Sequence, residues 1–253
     1  MSELKALIFD VDGTLADTER HGHRVAFNEA FREHGLDWHW DEELYGELLA
    51  ITGGKERIRH YLAGHHPEFL QRSDIDELIP ELHKAKTRHY LALLAEGRIP
   101  LRPGVERLLR EAMDEGLRLA IATTTTPENV TALLAATLGE DSIGWFEVIG
   151  AGDIVPAKKP APDIYHWTLD QMGLPAEEAL ALEDSRNGLR AASDAGLRSL
   201  ITTNGYTAQE DFDGAALVVD SLGEPGSPMR ILQGELTGHE WITPAALRDL
   251  HAA

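Results

Sequence analysis

The hydrophobic pattern changes its period twice along the chain. Residues 5–11 (KALIFDV) form a compact apolar run that ends in acidic residues and Gly13, the signature of a buried parallel strand with a functional loop at its carboxyl end. Strand-like runs then disappear between Thr18 and about Glu96, where residues 24–34, 41–50, 55–63 and 75–94 carry helical periodicity. After Pro100 and Pro103-Gly104 the period alternates. Helices are predicted over 105–115, 128–138, 163–172 and 188–195, and strands over 118–123, 146–151, 179–182, 199–203 and 217–220.

Repeated strand-helix units predict an α/β fold, a Rossmann-like doubly wound parallel sheet. The first strand is separated from the others by a helical insert of roughly 80 residues, far longer than a loop. The expected organisation is therefore a core of residues 1–16 and 97–253 and an all-helical cap of residues 17–96, with hinges near Ala16-Asp17 and 97–100. The tail, 223–253, carries no functional signal, and its packing is open at this level.

In such sheets ligands bind beyond the carboxyl ends of the strands, so the ends at Asp10, Thr123, Gly152 and Glu183-Asp184 are expected to converge. Asp10-Val11-Asp12-Gly13-Thr14 sets two carboxylates two residues apart at a buried strand end. A buried acid pair demands a cation or a proton. One carboxylate can attack phosphorus while its neighbour moves the leaving group's proton. Taken alone, the same pair is equally well a turn cap. Glu183-Asp184 adds a second acidic pair at another strand end, and the sum favours Mg²⁺, a hard cation suited to carboxylates, carbonyls and phosphate oxygens.

Thr123-Thr124-Thr125-Thr126-Pro127 joins hydroxyls to a helix start, a place for phosphate as much as for an ordinary cap. Lys158-Lys159-Pro160 holds cations against rigid prolines, where a lysine can neutralise phosphoryl oxygens. In the cap, Thr52-Gly53-Gly54-Lys55-Glu56-Arg57 suits a second phosphate or a simple helix start. It is not a Walker loop, and no Gly-x-Gly-x-x-Gly follows the first strand, which argues against a nucleotide-binding oxidoreductase. His21 and His23 near the cap entry have no assigned role, Trp38 and Trp40 read as core, and Asp74 and Asp76 read as a solvated face.

Composition narrows the partners. The chain has 253 residues, 23 Lys+Arg against 43 Asp+Glu and a net charge of −20, which repels nucleic acid and anionic membranes. Without cysteine there is no disulfide framework and no thiolate metal site. No signal-peptide pattern opens the sequence, so a cytoplasmic protein with no obligate protein partner is expected.

As a set, Asp10-Val11-Asp12-Gly13-Thr14, Thr123, Lys159 and Glu183-Asp184, in this order, resemble the motifs of the haloacid dehalogenase superfamily. The insert after the first motif is similar to that family's first type of cap. The resemblance implies a Mg²⁺-dependent phosphatase with Asp10 as nucleophile, Asp12 as general acid/base, and Thr123 and Lys159 holding the phosphoryl group. It also implies metal binding by Asp10, Asp12, Glu183 and Asp184. Finer features, Thr52 to Arg57, Pro127-Glu128-Asn129-Val130 and Lys158 to Tyr165, resemble the CbbY group, over about residues 3–220. That group acts on xylulose-1,5-bisphosphate, which implies substrate contacts at Glu19, Gly54, Lys55, Arg57, Thr124 and Thr125. Phosphoglycolate-type phosphatases and sugar phosphomutases share the scaffold, and a non-catalytic sugar-phosphate sensor would be expected to lack Asp10 or Asp12.

Overall fold

The computed structural model describes residues 2–253. The chain divides into two compact units, Met1–Asp17 with Pro100–Ala253, and Thr18–Ile99. Among the described residues of the first unit, seven strands make one sheet: β1 (Ala6–Phe9), β2 (Arg118–Ala122), β3 (Phe146–Gly150), β4 (Ala179–Glu183), β5 (Arg198–Thr202), β6 (Leu217–Val219) and β7 (Ile231–Gln233). Their order is β3-β2-β1-β4-β5-β6-β7, parallel throughout except that β7 runs antiparallel to β6. This is the doubly wound α/β fold.

The sheet's centre is apolar on both faces because helices cover both. Every residue of β1 and of β4 is buried. On one face Ala6, Ile8, Ala120, Ala122 and Ala181 meet Ile164, Tyr165, Leu169 and Met172 of α7 (Asp163–Met172) and Ala191 and Ala192 of α8 (Arg186–Asp194). Alanines on the strands let those helices approach closely, so the bulk is carried from the helix side. α5 (Val105–Asp114) and α6 (Pro127–Leu138) complete the strand-helix alternation. Thr126 caps α6 by accepting from the Asn129 amide, with Pro127 in the first turn, where its missing N–H costs nothing.

The tail belongs to this core. Beyond Asp220 it supplies β7 and then α9 (Pro244–Ala252), capped by Thr243, which buries Ala246, Leu247 and Leu250. Arg107 on α5 fastens it by donating to the carbonyls of Gly223 and Ile242, both at 2.8 Å, and to the Glu224 carboxylate.

The second unit is all helical: α1 (Arg24–Glu33), entered through a π-helical turn over Glu19–His23, then α2 (Glu42–Leu48), α3 (Gly54–His65) and α4 (Ile75–Ala95). Its core is aromatic. Phe27 and Phe31 on α1 pack against Trp40, at 4.6 and 4.9 Å between ring centroids, and Trp38 and Tyr61 extend the cluster. Asn28 locks the Trp40 backbone by exchanging two 2.8 Å hydrogen bonds with its N–H and carbonyl. His23 is buried against Tyr90, whereas His21 is exposed. Among the described residues no helix is long and apolar enough to cross a membrane.

Candidate active site

Strand register builds the site. Phe9 of β1 pairs with Ile121 of β2 and Leu182 of β4, so the next residues along the three strands, Asp10, Ala122 and Glu183, stand level at the carboxyl end of the sheet. The Asp10 amide continues the ladder to the Leu182 carbonyl at 2.9 Å, and the Thr123 amide does the same to Gly150. Asp10, Glu183 and Asp184 are 7, 1 and 6 % exposed, and an oxygen from each lies within 4.8 Å of the other two.

One cation enters this acidic cluster from the loop before α7. Lys159, 5 % exposed, places Nζ 2.7 Å from Asp10 Oδ1, 2.6 Å from Glu183 Oε1 and 2.8 Å from the Ala122 carbonyl. Three acceptors use all three ammonium protons. The Tyr165 hydroxyl donates to the same Glu183 oxygen. Thr123 is buried beside them, with its Oγ1 facing the Thr125 amide at 3.4 Å.

Asp184 is held differently. Its Oδ2 accepts from Asn204 Nδ2 at 2.6 Å and lies against Gly13. A Cβ on Gly13 would fall 2.2 Å from that oxygen, and the residue's φ of +85° is one that L side chains rarely adopt, so the turn after Asp12 requires glycine on both counts. Glycine serves Glu183 too: a Cβ on Gly188 of α8 would lie 1.9 Å from Glu183 Oε2.

The electrostatics follow from one ammonium facing three carboxylates out of water. Burial pushes the Asp10 carboxyl up to about 7; Lys159 opposes the rise, while Glu183 and Asp12 add to it. Asp184 is raised well above the usual carboxylate range, by burial first and then by Asp10 and Glu183, against the pull of Arg102 and Asn204. Burial works against the Lys159 charge, but Asp10 and Glu183 outweigh it and keep the ammonium protonated. Glu183 Oε2 is buried with no hydrogen-bond partner. A surplus of buried negative charge with an unsatisfied carboxylate oxygen is the donor set of a hard divalent cation, and the residues present fit one.

Asp12 lies outside the three-carboxylate cluster. It is partly buried, within range to raise Asp10, and its backbone bridges to Ala16 as the chain turns. Thr124 and Thr125 are partly exposed at the start of α6, where Thr125 Oγ1 accepts from Asn129 Nδ2 at 3.1 Å.

The remaining expected contacts lie in the helical unit. Gly54 and Lys55 open α3, and Gly54 leaves room for the His83 ring, which a Cβ would meet at 2.7 Å. Arg57 is buried, donating from Nε to the Leu48 carbonyl at 3.2 Å and from Nη1 to the Tyr45 hydroxyl at 2.9 Å. Tyr45 in turn donates to Glu19. Glu19 and Arg57, 38 positions apart in the sequence, are thus parts of one network centred on Tyr45.

The sequence motifs do not reach Asn204, Arg102 or Gly188, and give Tyr165 no role. Asn204 had a findable signal: it is a polar residue just past the carboxyl end of β5, the position already used to select Asp10 and Glu183.

The family model for haloacid dehalogenase-like hydrolases matches residues 4–196. Protein CbbY of Cupriavidus necator, plasmid-encoded, is 51% identical over 249 residues, 98% of this chain and 97% of that protein. The crystal structure of CbbY from Rhodobacter sphaeroides in complex with phosphate aligns with a TM-score of 0.79 at 52% identity, covering 86% of this chain and 94% of that one. A mutant of the same protein, crystallised with xylulose-1,5-bisphosphate, aligns with a TM-score of 0.79 at 51% identity and the same coverage. The chain belongs to the haloacid dehalogenase-like hydrolases and, within them, to the CbbY group of phosphatases.

Proposed function

We propose that the enzyme removes one phosphate from xylulose-1,5-bisphosphate, giving xylulose-5-phosphate, through an aspartyl-phosphate on Asp10. The observation that carries the chemistry is Lys159, whose ammonium is shared between Asp10 and Glu183 in a buried acidic cluster. A carboxylate so held has its orientation set before substrate arrives, and the same ammonium is in place to balance charge on a phosphoryl group arriving at Asp10. The substrate itself is suggested by the bisphosphate bound to the Rhodobacter sphaeroides relative.

In the first step an Asp10 oxygen bonds to phosphorus as the ester P–O bond breaks, and Asp12 gives its proton to the departing sugar oxygen. In the second, Asp12 takes a proton from water, the water oxygen bonds to phosphorus, and inorganic phosphate leaves with Asp10 restored. Thr123, Thr124 and Thr125, between the end of β2 and the start of α6, would offer donors to phosphate oxygens. Asp10, Glu183 and Asp184 would hold Mg²⁺ together with the backbone carbonyl of Asp12, whose carboxyl group moves the proton; the ion when bound neutralises this carboxylate cluster and polarises the transferring phosphoryl group. Glu19, Gly54, Lys55 and Arg57 are proposed as substrate contacts contributed by the cap, and a cytoplasmic setting is part of the same proposal.

Phosphate release should be measured on xylulose-1,5-bisphosphate, ribulose-1,5-bisphosphate, phosphoglycolate and glucose-1-phosphate, with Mg²⁺ or EDTA, for the native enzyme and Asp10→Asn. Preference for the first ester, abolished by EDTA and by the substitution, is expected. Preference for another ester would move the substrate and leave the mechanism intact, whereas full activity in Asp10→Asn would end the aspartyl-phosphate reading.

A further inference from the structure

Arg102 lies just before α5 and touches none of the reacting groups, yet it spends its guanidinium on the loops that carry them. Nη1 donates to the Gly13 carbonyl, to the Thr202 carbonyl at 2.8 Å and to Thr202 Oγ1 at 3.0 Å; Nη2 donates to the Thr203 carbonyl and to the Asp220 carbonyl at 2.9 Å. One side chain thereby joins the ends of β1, β5 and β6. Two of those attachments adjoin the walls of the Asp184 slot. Gly13 is the wall on one side, and Asn204, the residue after Thr203, supplies the other through its amide. Asn204 is aimed by its own turn, its Oδ1 accepting from the amides of Tyr206 and Thr207.

We propose that Arg102 is the positioning residue for Asp184, holding the Gly13 turn and the Asn204 loop at the separation that sets this carboxylate for the metal. The inference rests on the metal-dependent reading above. The two terminal nitrogens of the guanidinium reach five acceptors over three loops with four N–H donors held in a planar fork, Nη1 sharing its two protons among three oxygens; a lysine reaches the same place with three protons from one point. Such supporting groups typically change metal affinity or activity by about 10–100-fold when lost.

The test compares native enzyme, Arg102→Lys and Arg102→Gln by calorimetric Mg²⁺ titration, by kcat and KM, and by thermal unfolding in EDTA. Both variants are expected to bind Mg²⁺ about tenfold or more weakly and to lose kcat while KM stays within about twofold. Adding Asn204→Ala to Arg102→Lys should weaken Mg²⁺ binding little further than the worse single change, since both act on one slot. Native-like Mg²⁺ affinity with a lowered melting temperature alone would reduce Arg102 to a staple of the fold and overturn the proposal, as would failure of both variants to fold. A native enzyme that neither binds Mg²⁺ nor hydrolyses phosphate would bring down the metal-dependent reading itself.

Discussion

Replacing Gly188 by alanine in the first turn of α8 tests whether the acidic cluster depends on a missing side chain. In an unencumbered helix the change should stabilise the protein by about 0.5–1 kcal/mol, because alanine loses less backbone entropy than glycine. Here the new Cβ would meet Glu183 Oε2 at 1.9 Å, Cδ at 2.2 Å and Oε1 at 2.5 Å, so the whole carboxylate must withdraw by more than an ångström to reach ordinary contact. That movement breaks the bonds Oε1 accepts from Lys159 Nζ and Tyr165. Each is a hydrogen bond to a charged group worth about 1.5–3 kcal/mol, so the loss of about 3–6 kcal/mol exceeds the helix gain and leaves a net destabilisation of roughly 2–5 kcal/mol. At about 2–4 °C per kcal/mol for a protein of this size, the melting temperature in EDTA should fall by roughly 4–20 °C. Urea unfolding and a Mg²⁺ titration check the two consequences, lower stability and weaker metal binding. A Gly188→Ala protein as stable as the native one, with native Mg²⁺ affinity, would refute the reasoning, since it would mean that Glu183 does not occupy the space against α8.

Two further outcomes follow from charge and from the tail. Because folding raises the Asp10 carboxyl from 3.8 to about 7, the metal-free native state binds more protons than the unfolded chain between those values. Its stability is therefore fully present near pH 4 and declines as the pH rises toward 7, with Asp184 acting in the same direction. Thermal melts in EDTA from pH 5 to 8 should show that decline, a shallower one in Asp10→Asn, and the largest Mg²⁺ stabilisation at the alkaline end; a flat profile would contradict the buried-acid account. Truncation after Leu222 removes β7 and α9 and with them Ile242, Leu247 and Leu250, each at most 2 % exposed. At about 1.5–3 kcal/mol per side chain this forfeits roughly 4–9 kcal/mol, so the shortened chain is expected to be insoluble or unfolded by circular dichroism.

Much of the molecule is written in local pattern. The apolar run ending at Asp10, the helical period between Thr18 and Glu96, and the alternation after Pro100 predict the sheet and the helical unit, because burial of a strand or of a helix face is imposed on neighbouring residues. Asp10, Thr123 and Glu183 were legible for the same reason: polar residues that interrupt an apolar strand at its carboxyl end have little use in a core. β7 was illegible because it is three residues long, partly exposed, and a strand only by pairing with β6. Thr243-Pro244 did carry the start signal of α9, but its apolar face is short.

Tertiary structure decided what those residues face. Lys158 and Lys159 are adjacent and chemically alike, yet one pairs with Asp153 near the surface while the other is buried between two carboxylates that lie 149 and 24 positions away in the sequence. Arg102 looks like any arginine before a Pro-Gly turn, and four of its five acceptors are carbonyls, which every residue possesses and no sequence distinguishes. Gly188 reads as a weak point in a helix until the Glu183 carboxylate is found against it. Periodicity reports which face of an element is buried, whereas a charge buried among others acquires its partners and its proton affinity only when distant strands come level, and that registry is a property of the folded sheet.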